Sequence, residues 1–135
     1  MHLGCICEGY NSDLTKTFFL GKISTYTKKV FSIVKEAQSK AISIIKDGIA
    51  CKKIDFAARS VISKNGFGKY FIHSTGHGVG VDIHEGPALS AGSNAVLKEG
   101  MAVTVEPGIY IPGRFGVRIE DTVLVTKNGC EVLTK

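Results

Sequence analysis

The sequence has 135 residues, enough for one ordinary domain and too few for two. A hydrophobic fraction of 44% against 21% charged residues excludes a disordered chain, and no apolar run approaches the roughly 20 residues that span a bilayer. The net charge of +5 comes from scattered lysines, with only Lys28-Lys29 and Lys52-Lys53 adjacent and neither pair interleaved with aromatics, so no nucleic-acid face is expected.

In chain order, the opening Met1-His2-Leu3-Gly4-Cys5 lacks the basic and apolar regions of a secretory signal, and a cytoplasmic location is expected. Residues 2–20 mix β-branched and aromatic residues around a turn-like Glu8-Gly9-Tyr10-Asn11, which predicts a hairpin with Asp13 at the start of its second strand. Val30, Ile33/Val34, Ala37, Ala41 and Ile44/Ile45 then recur at helical spacing, and Gly48 is placed to stop that helix. A second helix is predicted over about Ile54–Ser63, closed by Asn65-Gly66. From Lys69 onward glycines become dense and short β-rich runs alternate with turns: Tyr70–Ile72, Ala102–Val105, Gly116–Val125 and Glu131–Leu133, with 86–98 as an irregular loop. The order is that of an α+β fold with an antiparallel sheet and two covering helices. Cys5, Cys7, Cys51 and Cys130 lack the two close pairs of a structural zinc site and read as small buried hydrophobes.

Four segments place a carboxylate or imidazole inside or beside an apolar run: Tyr10–Thr15, His73–Gly80, Val103–Gly108 and Val117–Asp121. A carboxylate in such a run is costly unless it is paired or binds a metal. Asp13, His77, Glu106 and Glu120 together make a mixed oxygen and nitrogen donor set suited to manganese, cobalt or zinc. Three carboxylates are enough to bridge two ions, as two-metal hydrolysis requires. The glycine-rich Gly76–Gly80 is not a nucleotide loop, because Pro87 excludes a long helix after it. His84-Glu85 is not part of an HExxH motif, since position 88 is alanine.

The stretches His73 to Pro87 and Glu106 to Asp121 (EPGIYIPGRFGVRIED) closely resemble the C-terminal part of pita-bread metallopeptidases, in the Xaa-Pro aminopeptidase and prolidase branch. The ligand spacings agree with it: 77 − 13 = 64, 106 − 77 = 29 and 120 − 106 = 14. The resemblance extends over essentially the whole chain and implies a partial pita-bread fold, lacking the first half of the catalytic domain and an N-terminal domain. It implies two divalent ions, manganese first among them, bridged by Asp13 and Glu120, with His77 and Glu106 on one ion. Glu106 is further implied to take a proton from the attacking water, His73 and His84 to flank the scissile carbonyl, and Arg118 to position a carboxylate. Thr15 is implied to support Asp13. The implied partner is a peptide with proline at its second position; a second copy of the chain or a complementing N-terminal segment is the implied protein partner. Position 2, where this family carries another metal-binding aspartate, holds histidine, which cannot chelate bidentately or supply negative charge. His2 is therefore expected to weaken the first ion. The alternative function is that of a non-catalytic pita-bread binding protein or an inactive fragment.

Overall fold

The computed structural model describes residues 1–134. The predicted opening hairpin is present but broken into two short antiparallel ladders. Strand β1 (His2–Leu3) pairs with β4 (Leu14–Thr15), and β2 (Ile6–Cys7) pairs with β3 (Tyr10–Asn11) around a turn at Glu8 and Gly9. Asp13 lies just ahead of β4, not within it. Several apolar side chains of this segment, Leu3, Ile6, Tyr10, Phe18 and Leu20, are exposed.

Helix α1 (Thr25–Ile42) begins a turn earlier than its apolar stripe, because the Ser24 hydroxyl accepts from the Thr27 amide at 3.0 Å and caps it. Val30, Ile33, Val34, Ala37 and Ala41 form its buried face, as the spacing predicts. The helix ends at Ile42, where the Ser43 amide still donates to the Ser39 carbonyl. Gly48 is therefore not its cap; it takes φ 78° in a later turn, after Ile45 has returned to the core. Helix α2 (Cys51–Lys64) buries Ile54, Asp55, Ala58 and Ile62, and ends at Asn65 with Gly66 at φ 83°. The predicted strand at Tyr70–Ile72 is instead a 3-10 turn over Gly68–Tyr70. Phe67 and Phe71 are buried while Lys69 between them is exposed, a helical and not an alternating pattern.

Five strands form the main antiparallel sheet, in the order β11 (Cys130–Val132), β10 (Asp121–Val125), β7 (Ala102–Val105), β5 (Gly76–Gly78), β6 (Glu85–Leu89). Strand β6 takes the first residues of the predicted irregular loop. Strands β8 (Gly108–Ile111) and β9 (Phe115–Arg118) make a separate hairpin, so the predicted run 116–125 is split, with Glu120 in the gap before β10. Val103, Val105, Val123, Val125 and Leu89 of the sheet share one core with both helices. Cys51 is buried, as expected of a small hydrophobe, whereas Cys5 and Cys7 are exposed on the opening ladder and correct that reading for these two. Among the described residues no helix is long and apolar enough to cross a membrane.

Candidate metal centre

The four predicted ligands arrive from four different elements. Asp13 comes from the turn before β4, His77 from the middle of β5, Glu106 from the end of β7, and Glu120 from the link between β9 and β10. A β-bulge irregularity marks β5 beside His77, and the flanking glycines have a steric reason. A Cβ at Gly76 would overlap the Thr104 carbonyl oxygen, and one at Gly78 would overlap that of Gly86, so β7 and β6 close on His77 only because both are glycine.

These side chains converge. His77 Nε2 lies 3.2 Å from Glu106 Oε1 and 3.8 Å from Asp13 Oδ2. His77, Glu106 and Glu120 each offer a ligand atom within 4.8 Å of the others, and so do Asp13, His77 and His84. Asp13, Glu106 and Glu120 are all buried. Among the described residues, Asp13 Oδ1 is the buried side-chain oxygen left without a hydrogen-bond partner. A buried carboxylate oxygen in that condition costs about 1–3 kcal/mol or more, which a cation at that oxygen would offset. The donor set and this orphaned oxygen both fit divalent ions.

Each predicted ligand is braced. His77 Nδ1 is 2.9 Å from the Gly78 carbonyl, so this nitrogen donates and Nε2 is turned toward the carboxylates, 3.2 Å from Glu106 Oε1, as the atom an ion would take. Glu106 receives the Thr104 hydroxyl at 3.2 Å, and its own amide donates to the Thr75 carbonyl at 2.8 Å. The Glu120 amide donates to the Thr15 carbonyl at 2.9 Å, and the Thr15 hydroxyl donates to Glu120 Oε2. Thr15 thus supports Glu120, not the predicted Asp13, whose backbone carbonyl is held instead by the Thr122 hydroxyl at 2.8 Å.

The two glutamates are driven apart electrostatically. Burial raises Glu120, and the neighbouring Glu106 and Asp13 charges push the same way, against the Thr15 hydrogen bond and His2. Burial also opposes ionisation of Glu106, but the hydrogen bond and charge of His77, with His73 and Arg118, outweigh it and hold Glu106 below the usual carboxylate range. For His77, burial pushes downward, yet hydrogen bonds to Glu106 and Gly78 and the charges of Glu106 and Asp13 raise it on balance.

The remaining predicted residues line the rim. The His84 ring lies 4.4 Å from that of His77, although His84 is exposed. Arg118 Nη1 stands 3.5 Å from Glu106 Oε2, and Arg118 Nε donates to the Tyr110 hydroxyl at 2.8 Å. That hydroxyl reaches His73 Nε2 at 2.8 Å, while His73 Nδ1 meets the Ser74 carbonyl at 2.7 Å. Tyr110 was missed in the sequence, as was the Asp55–Arg59 pair that holds the His73 carbonyl from behind at 2.9 Å. Position 2 is not idle either: His2 Nδ1 lies 2.9 Å from the Thr15 hydroxyl and 3.6 Å from both Asp13 Oδ1 and Glu120 Oε2.

Residues 1–127 match the model of metallopeptidase family M24, and the chain belongs to that family. It is 51% identical over 133 residues to a Xaa-Pro dipeptidase of Pyrococcus horikoshii, covering 98% of this chain and 38% of that protein. The prolidase structure from Pyrococcus furiosus superposes with a TM-score of 0.98 at 51% identity, over 99% of this chain and 40% of that one. An X-Pro aminopeptidase structure from Thermotoga maritima gives 0.96 at 45% identity, with 38% of its chain covered. The chain thus spans about two fifths of the length of these relatives, and its fold is the partial pita-bread arrangement expected from the sequence.

Proposed function

We propose that this chain carries the metal-binding half of a peptidase that hydrolyses the bond before a proline at the second position of a peptide. Residues 1–135 would be the C-terminal portion of that pita-bread catalytic domain. The observation that carries the reading is the convergence of Asp13, His77, Glu106 and Glu120 in overlapping groups, with the buried Asp13 Oδ1 left unpartnered. Similarity to an Xaa-Pro dipeptidase and to prolidase structures supports the substrate class.

Asp13 and Glu120 would hold two divalent ions between them, with His77 and Glu106 completing one of the two sites. Such ions supply the positive charge that polarises a carbonyl and makes a water acidic enough to attack near neutral pH. Manganese is the first candidate, with cobalt and zinc compatible with the same donors. Glu106, kept ionised by His77 and Arg118, is the group able to accept the proton of an attacking water. His73 is held through Nδ1 by a carbonyl, and its Nε2 is fed by Tyr110 and, behind it, Arg118. That relay fixes the ring so that it presents one tautomer to the rim. His84, against the His77 ring, is the second rim imidazole and would face the scissile carbonyl. Arg118 would also orient a substrate carboxylate with its outer nitrogens. A cytoplasmic location belongs to this reading, supported by four unpaired cysteines.

The experiment is hydrolysis of Xaa-Pro dipeptides and Xaa-Pro-Yaa tripeptides with added Mn²⁺ or Zn²⁺, alongside Glu106→Gln and Glu120→Gln. Cleavage before proline that falls by about 100-fold or more in both variants is expected, from the worth of general-base catalysis. Cleavage unaffected by either substitution overturns the reading. Peptide binding with no turnover in the native chain establishes the binding-protein alternative that His2 favours.

A further inference from the structure

The register of β1 with β4, and a bridge from β4 to Glu120, set His2, Thr15 and Glu120 in a single row. His2 pairs directly with Thr15 across β1 and β4, and Thr15 pairs across a bridge with Glu120. Residues directly opposite in antiparallel ladders project to the same face, so the His2 imidazole is delivered to the side where Asp13 and Glu120 lie. Its Nδ1 sits 3.6 Å from Asp13 Oδ1 and 3.6 Å from Glu120 Oε2. Two donor atoms each about 2.0–2.2 Å from a tetrahedral ion stand roughly 3.3–3.6 Å apart, so these separations are already those of a ligand set. One partner in that set, Asp13 Oδ1, is the buried oxygen that no hydrogen bond satisfies.

We infer that His2 is itself a metal ligand, and that with Asp13 and Glu120 it forms a nitrogen-oxygen-oxygen site selective for zinc over manganese. The inference rests on the two-ion reading above and concerns which ion the first position takes. Imidazole is a good ligand for borderline ions and a poor substitute for carboxylate toward hard ones. Replacing negative charge by a neutral nitrogen therefore penalises Mn²⁺ much more than Zn²⁺. The expectation that His2 weakens the first ion is thereby narrowed to hard ions.

The hydrogen bonds add a spectroscopic mark. Thr15 has one hydroxyl proton, and it goes to Glu120 Oε2, so the 2.9 Å contact with His2 requires His2 Nδ1 to be the donor. A cation bound at Nδ1 displaces that proton, and the neutral ring then carries its hydrogen on Nε2. Zinc binding thus switches the His2 tautomer, whereas His77, fixed by the Gly78 carbonyl, keeps its own.

The test uses the full chain with Zn²⁺ alone and Mn²⁺ alone, read by calorimetric titration and by ¹⁵N resonances of the histidine rings. Expected are two Zn²⁺ equivalents, a change of the His2 ring from the Nδ1–H to the Nε2–H form, and two Mn²⁺ equivalents of which one is weak. His2→Ala should lower the affinity of one Zn²⁺ equivalent by at least the roughly 10–100-fold that loss of an outer partner costs at metal sites. His2→Asp should narrow the preference for Zn²⁺ by strengthening the weak Mn²⁺ equivalent. If Zn²⁺ shifts the His77 resonances while His2 stays unchanged and His2→Ala binds as the native chain does, the His2 assignment is overturned and the reading of Asp13, His77, Glu106 and Glu120 survives. If the folded chain binds neither ion, both fall together.

Discussion

Removing the Arg59 guanidinium should destabilise the chain far more than a helix-surface arginine normally would. Asp55 is fully buried on α2, and Arg59 grips it through Nε and Nη2, both at 2.9 Å, in an i,i+4 fork. The same guanidinium donates to the carbonyls of Phe71 at 3.0 Å and His73 at 2.9 Å, and its carbon lies 4.2 Å from the Phe71 ring centroid. In Arg59→Ala the buried carboxylate keeps only the Thr75 hydroxyl, at 2.9 Å. Breaking a buried pair by deleting one partner costs about 3–5 kcal/mol. Because 32% of the arginine side chain reaches solvent, the lower end applies, about 3 kcal/mol. At roughly 3–5 °C per kcal/mol for a domain of this size, the melting temperature should drop by about 10–15 °C. Asp55→Asn in the Arg59→Ala background should restore part of the loss, because it removes the stranded charge, and the two changes should couple by at least about 1 kcal/mol. Urea unfolding followed by circular dichroism measures all three variants. A loss under about 1 kcal/mol in Arg59→Ala, or strictly additive effects, would show that Asp55 does not depend on Arg59 for its burial and would refute the brace.

Thr15→Val removes the hydroxyl that keeps Glu120 from rising further, so divalent-ion affinity should fall by roughly 10–100-fold, and more at pH 6 than at pH 8; calorimetry at the two pH values checks both statements. Since His77 and Glu120 are both held above their ordinary values, protons compete with the ions, and Zn²⁺ or Mn²⁺ affinity should weaken as pH falls through their raised values, with proton release on binding. For the ion-free chain the sign of the His77 contribution is opposite: its raised value favours the folded state below 6.5, and that stability is lost as pH rises through the folded value, which thermal unfolding with chelator present will reveal. Gly76→Ala should force β5 from β7 at the Thr104 carbonyl and cost several kcal/mol, about the cost of severe overpacking; native-like stability in that variant would mean the strands can part without penalty.

Much of this architecture was legible because local and global preferences agree. The stripe of α1 and the run Ala102–Val105 carry their own periodicity and bury the face they advertise, while α2 buries Ile54, Ala58 and Ile62 and the closing strand stays only partly buried. Strand β5 could not be read that way: Gly-His-Gly has no strand propensity, and its place in the sheet follows from how closely Thr104 and Gly86 approach it. Carboxylates stranded in apolar runs pointed to Glu106 and Glu120, and the same signal was present at Asp55, between Ile54 and Ala58 on a buried stripe with Arg59 one turn on. The apolar stripe of α2 alone conceals it, because Asp55 occupies a position that a helix core would otherwise fill with an apolar side chain. Tyr110 and Thr104 gave no such sign, since an aromatic or a threonine in a strand needs no functional reason to be there. The row His2, Thr15, Glu120 lies deeper still: no spacing rule connects positions 2, 15 and 120, and only the pairing of β1 with β4 and the bridge to Glu120 bring them together. An imidazole at position 2 read as the loss of a charge in one dimension; in three, the register that would have aimed an aspartate at Asp13 and Glu120 aims a nitrogen there instead.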